Sequence, residues 1–249
     1  MRLFSVVKGS ALKTPFDETG FSCTEVNPGA SPCMKVYKCV LKSHHTWKPE
    51  LYSYGDKTQF FAFLTASGYV TTEDQAWNIT DYAAFIPDYD KNDITIHAGL
   101  TDLEFYRYVG EMDPRYDVEK MNDYMTRLPY FCLFKDGVEY TEGHTTGVGS
   151  TVRTLSVIHH RQMGRYSLGW VVGKGPTHVG EHRHPDLDQW YFILPGGVMT
   201  YRAGGDSVHV EGGDVTYTKM NTPHSSYALE GESYNYFWVE TALEGYIAD

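Results

Sequence analysis

The sequence predicts an all-β protein made of two barrels in one chain, and three observations carry that expectation. Its apolar runs are short, rich in Tyr, Phe, Val and Ile, and broken by Gly, Pro, Asn or Asp, which is the pattern of sandwiches and barrels. Aromatic residues reach 15% with 20 Tyr, and such rings pack well on pleated sheets. A weak internal repeat runs through the chain, so that each half contains similar strands in similar order.

The strands expected, in chain order, are 34–41 (MKVYKCVL), 59–66 (QFFAFLTA), 82–87 (YAAFIP), 103–110 (LEFYRYVG), 166–173 (YSLGWVVG), 189–196 (QWYFILPG) and 234–240 (YNYFWVE). The repeat matches FFAFLTASG with QWYFILPG, TDYAAFIPDYDKND with GDVTYTKMNTPH, and LEFYRYV with YNYFWVE. One stretch reads as helical, 118–128 (VEKMNDYMTRL), stopped by Pro129 and placed where a connector between barrels would lie. The expected domains are therefore 1–115 and 116–249.

Composition narrows the function. Hydrophobic residues make up 41% and charged residues 21% of 249, which is ordinary for a folded domain. A formal charge of −11 repels phosphate backbones, so nucleic acid is not an expected partner. No apolar run approaches the length of a membrane span, and no membrane partner is expected. The opening MRLFSVVKGSALK has too short an apolar stretch for a secretory signal, interrupted by Lys8, so the expected compartment is the cytoplasm. Cys23, Cys33, Cys39 and Cys132 form no CxxC pair and read as free thiols.

One segment carries chemistry. In HVGEHRHPDLDQWYFILPG, His182 and His184 are two apart, so on a strand both would point to one face. Gln189 opens the next strand, and His224 follows a further strand and the turn Met220-Asn221-Thr222-Pro223. Three imidazoles and one amide oxygen make a mixed nitrogen and oxygen site suited to a divalent Fe, Mn, Ni, Zn or Cu ion rather than Ca or Mg. Asp188 is the alternative fourth ligand, but strand alternation turns it away from the two histidines unless the turn bulges.

These residues resemble the two signature motifs of the cupin superfamily, G-x5-H-x-H-x(3,4)-E-x6-G and G-x5-P-x-G-x2-H. His182-x-His184-x4-Gln189-x6-Gly196 keeps the first spacing with Gln in place of Glu, and Gly213-x10-His224 keeps the second. Gly175 stands one place off the leading glycine, Lys219 replaces the usual Pro, and Asn221 replaces the usual Gly. Asn is the residue next best able to take a left-handed turn. The resemblance implies two double-stranded β-helix, or jelly-roll, barrels. In order and size the chain is similar to small bicupin enzymes of the ureidoglycine aminohydrolase kind, in which the second barrel carries the metal; the change of Glu to Gln argues against carrying over a substrate. Counting back from Gly68 puts Phe61 at the Gln189 position and Tyr54 and Asp56 at the positions of the HxH pair, so the first barrel lacks these ligands and is expected to serve packing, dimerisation or an auxiliary pocket. A homodimer is the expected assembly.

A cation held by neutral ligands keeps its full charge and acts as a Lewis acid that polarises carbonyls or activates water. The expected activity is that of a lyase, isomerase or hydrolase of a small polar organic acid or sugar acid, with an anionic substrate. An Fe(II)-dependent dioxygenase and a non-catalytic small-molecule-binding bicupin are the alternatives. The acid–base partners expected are Tyr191, two residues beyond Gln189, and His178, four residues before His182; Arg202 and Lys219 are candidates to meet a substrate carboxylate.

Overall fold

The computed structural model describes residues 3–118, 127–145 and 151–245, leaving the side chains of 118, 160 and 161 outside that description. Strands β1 to β21 follow in chain order, and the chain divides into two compact units. One unit is Leu12–Asp136 with Gln162–Gly164; the other is Met1–Ala11, Gly137–Arg161 and Arg165–Asp249.

The first unit contains two antiparallel sheets. The larger has the order β11 (Tyr130–Leu133), β8 (Ala83–Ile86), β5 (Lys57–Phe63), β10 (Leu103–Glu111), β3 (Met34–Leu41), β2 (Phe21–Glu25). The smaller has the order β4 (Thr46–Trp47), β9 (Thr95–Ala98), β6 (Gly68–Thr71), β7 (Ala76–Ile79). Phe61, Phe63, Phe85 and Phe105 of the larger sheet meet Val70, Ile79 and Ile96 of the smaller in one buried cluster. The run Thr58–Phe63 is buried at every residue, as a central strand covered on both faces must be. Burying each such phenyl contributes about 1.5–3 kcal/mol, so this interior is held by its aromatic filling.

The second unit repeats the plan. Its long layer has the order β1 (Phe4–Val7), β19 (Val215–Thr218), β16 (Leu187–Ile193), β21 (Ser233–Ala242), β14 (Tyr166–Lys174), β13 (Arg153–Met163), β12 (Val138–Tyr140). Its second layer is β15 (Thr177–His182) on β20 (His224–Ala228), β20 on β17 (Val198–Ala203), and β17 on β18 (Asp206–Glu211). Tyr191, Tyr236 and Trp238 from the long layer pack with Val179, Tyr201 and Ala228 from the other. All seven segments expected to be strands lie on strands, and the fold is all-β with two barrels.

Two features differ from expectation. The division falls later than 115/116, because β11 pairs with β8 through Tyr130↔Ile86 and so belongs to the first barrel. The amino-terminal strand joins the second barrel, with Phe4 opposite Thr218. Most of the helix expected at 118–128 lies outside the described residues; a short helical turn at Pro114–Val118 precedes it. The four cysteines are free thiols. No helix among the described residues is long and apolar enough to cross a membrane.

Candidate metal centre

His182 and His224 are brought together by strand pairing. They are register partners across β15 and β20, at the end of both strands. His184 lies two residues beyond β15, and its carbonyl oxygen accepts the Asn221 amide at 2.7 Å. That bond ties the turn after β15 to the turn before β20. Asn221 there has a φ of 61°, the left-handed conformation its residue type tolerates. The ligand-capable atoms of His182, His184 and His224 lie within 4.8 Å of one another.

Each of two imidazoles is oriented by the backbone. His182 Nδ1 lies 2.8 Å from the Gly180 carbonyl oxygen, and His224 Nδ1 lies 3.0 Å from that of Thr222. A carbonyl only accepts, so in the neutral ring Nδ1 carries the proton and Nε2 keeps its lone pair for the centre. Burial keeps the rings neutral: it pushes His182 down to about 4 and, with the neighbouring His182 adding to the effect, His224 down to about 3.

Gln189 arrives from the other layer, on β16, and faces the same space. Its Nε2 donates to Glu240 Oε1 at 2.8 Å and lies 3.5 Å from His184 Nε2. Asp188 points to the opposite face and spends both oxygens there. Tyr217 donates to Oδ2 at 2.7 Å and the Met220 amide to Oδ1 at 3.0 Å.

Two orphaned atoms show how the donor set fits a cation. Gln189 Oε1 and His224 Nε2 are buried, and neither has a hydrogen-bond partner among the described residues. Buried polar atoms are rarely left so, and a cation would satisfy a carbonyl oxygen and an imidazole lone pair together. Three imidazole nitrogens with one amide oxygen also match the preferences of divalent transition metals. The residues fit a metal ion.

Around this cluster lies a cavity lined by Tyr140, Glu142, Thr154, Val179, Tyr191, Tyr236, Trp238 and Glu240 among others. It shares Tyr140, Glu142, His184, Trp238 and Glu240 with an adjoining open space of about 460 Å³ that Ser156 and His159 also line. No Lys or Arg is among the described residues lining either. Arg202 is exposed instead, its guanidinium lying 5.1 Å over the Tyr227 ring.

Tyr191 lies on the cavity wall, its ring stacked on Tyr236 at 4.5 Å. Burial, with Tyr236 next, holds its phenol well above the usual range, so it stays protonated. His178 is corrected: it is exposed and lines neither space. The cause is a bulge. Val179 pairs with Ser226 and His182 with His224, so β15 takes three steps where β20 takes two. Alternation is broken, Val179 turns inward and His178 turns out.

Sequence reasoning missed Glu240, Glu142, Tyr140 and His144. The ring of His144 stacks on His182 at 4.3 Å, and its carbonyl accepts the Gly180 amide at 2.9 Å. Glu240 carried a readable signal, because Tyr234, Tyr236, Trp238 and Glu240 alternate along β21 and put a carboxylate on an aromatic, inward face.

No known family profile matches the chain, and no curated protein matches it by sequence. Solved structures do. A protein described as glyoxylate-induced from Pseudomonas aeruginosa superposes with a TM-score of 0.75 at 12% identity, covering 100% of this chain and 92% of its own. A cupin 2 conserved barrel domain protein from Leptotrichia buccalis gives 0.64 at 13% identity, covering 97% and 98%. The oxalate decarboxylase of Lactobacillus farciminis, in complex with formate, gives 0.69 at 12% identity, covering 97% and 86%.

Proposed function

We propose, from the premise that this chain has the two-barrel cupin fold, that it is a metal-dependent enzyme acting on a small polar organic acid or sugar acid. His182, His184, His224 and the Gln189 carbonyl oxygen would hold one divalent transition metal. Such an ion supplies Lewis acidity, polarising a substrate oxygen bound beside it. The reading rests on one observation above others: Gln189 Oε1 and His224 Nε2 are buried without a partner among the described residues, and His224 clusters with His182 and His184.

The chain's own residues supply the rest. Tyr191, kept protonated by burial, donates a hydrogen bond to a substrate oxygen rather than accepting a proton. Glu142 faces the same cavity and is a carboxylate able to accept a proton from a substrate carbon or water. Trp238 and Tyr140 offer flat apolar surface to the substrate's body. A space of about 460 Å³ is of the size that takes a small molecule. With no Lys or Arg among the described residues on the wall, the charge of an anionic substrate would be met by the cation, with the Tyr191 hydroxyl as hydrogen-bond donor.

The test is a screen of keto acids and sugar acids with metal-loaded and chelator-treated protein, with and without oxygen. Turnover that needs metal but not oxygen supports a lyase, isomerase or hydrolase. Oxygen consumption coupled to iron replaces it with a dioxygenase, and tight binding without turnover replaces it with a binding protein.

A further inference from the structure

Resting on that metal reading, we infer that Glu240 is a positioning residue: it turns the Gln189 carbonyl oxygen to the cation and supplies the negative charge that a glutamine ligand lacks. The two residues are register partners on the adjacent strands β16 and β21. Gln189 Nε2 donates to Glu240 Oε1 at 2.8 Å, and Ser167, on the far side of β21, donates to Oε2 at 3.4 Å. All three side chains are buried.

The orientation of an amide is set by its hydrogen bonds. A carboxylate oxygen only accepts, so only the NH2 end of Gln189 can face Glu240. Its carbonyl oxygen is thereby turned away from Glu240 and has no partner among the described residues, while the same Nε2 also lies 3.5 Å from His184 Nε2. An amide nitrogen has no lone pair to give a metal, so this orientation is the one in which Gln189 can be a ligand at all. A hydrogen bond to a carboxylate also pushes electron density onto that oxygen and strengthens it as a donor.

The same contact explains why position 189 is Gln. A glutamate there would set two carboxylates at hydrogen-bond distance, where like-charge repulsion forces one of them to take up a proton. Gln189 and Glu240 thus form one unit, with the charge moved from the ligand to the residue behind it. The cation is not left with its full charge uncompensated, contrary to the expectation from ligand identity alone.

The test is titration of chelator-stripped protein with Co(II), reading the visible absorption band and the dissociation constant, with thermal unfolding of each apoprotein as a fold control. Glu240→Gln lets either amide face either way, and should weaken Co(II) binding roughly 10–100-fold. The exchanged pair Gln189→Glu with Glu240→Gln restores one carboxylate and one amide, and should return affinity to within about threefold of wild type, well inside the 10–100-fold loss expected for an outer ligand partner. Unchanged affinity in Glu240→Gln overturns the inference, as does a double variant no better than the single. If the single variant fails to fold, the double variant decides alone by the same affinity criterion. A wild-type chain that takes up no Co(II) sinks the metal reading itself, a failure visible before any variant is compared.

Discussion

On the central strand of the first barrel Phe61 sits between Phe85 and Arg107, while on that of the second Gln189 sits between Thr218 and Glu240. The ladders around these positions are equivalent, β8-β5-β10 in one and β19-β16-β21 in the other. What differs is the interior they face. Phe61 meets the rings of Phe63, Phe85 and Phe105 at 6.2–6.5 Å in a buried cluster. Gln189 shares a cavity wall with His182 and His184. The smaller layers contrast in the same way. In the first barrel His97 is satisfied by the Thr71 hydroxyl at 2.9 Å and stacked on Tyr69, whereas His224 leaves its Nε2 orphaned. One scaffold therefore carries either a filled aromatic core or a cluster of imidazoles beside a cavity, and the choice is made by a few inward side chains.

The largest effect expected on this contrast comes from removing a ligand. His184→Ala should abolish stoichiometric metal binding, while His97→Ala should keep it; elemental analysis of the two purified variants checks this. Equal metal content would erase the distinction between the barrels. The next effect is on stability. Phe61→Gln imports the second barrel's amide without its partners, leaving a cavity and an unsatisfied polar group. It should cost about 3–5 kcal/mol in urea unfolding and create no metal site.

A third effect is a pH slope belonging to the second barrel. His224 and His182 ionise near 6.5 when unfolded, but burial lowers them to about 3 and about 4 when folded. Between those values the unfolded chain binds more protons, so the stability of the metal-free protein falls as pH drops from about 6.5 toward 4. Urea midpoints in chelator at pH 7 and pH 4.5 measure the slope. His224→Gln should flatten it, and an unaltered slope would mean that the acid sensitivity lies elsewhere.

Much of this was legible in the sequence, and the reasons are local. Strands announce themselves by short aromatic runs, and His182, His184, Gln189 and His224 keep spacings that strand geometry converts into convergence. What depends on distant pairing was not legible. The partnership of Phe4 with Thr218 spans nearly the whole chain, so the amino-terminal strand could not be assigned to the second barrel. Glu240 meets Gln189 only through the register of β16 on β21. His178 was misplaced because one extra residue on β15 breaks a period of two, and nothing in THVGEH marks the bulge. The roles of Tyr140 and Glu142 come from a segment whose approach to the site no periodicity encodes.

The most direct test of the account is the metal content of the wild-type chain, purified without chelator, stripped, and reconstituted in turn with Fe(II), Mn(II), Ni(II), Zn(II) and Co(II). With His182 and His224 kept neutral by burial and oriented by backbone carbonyls, about one equivalent per chain should bind tightly, be removed by chelator and return on addition of metal. A chain that retains none of these ions after desalting would contradict it, and the second barrel would then be a polar-lined counterpart of the first.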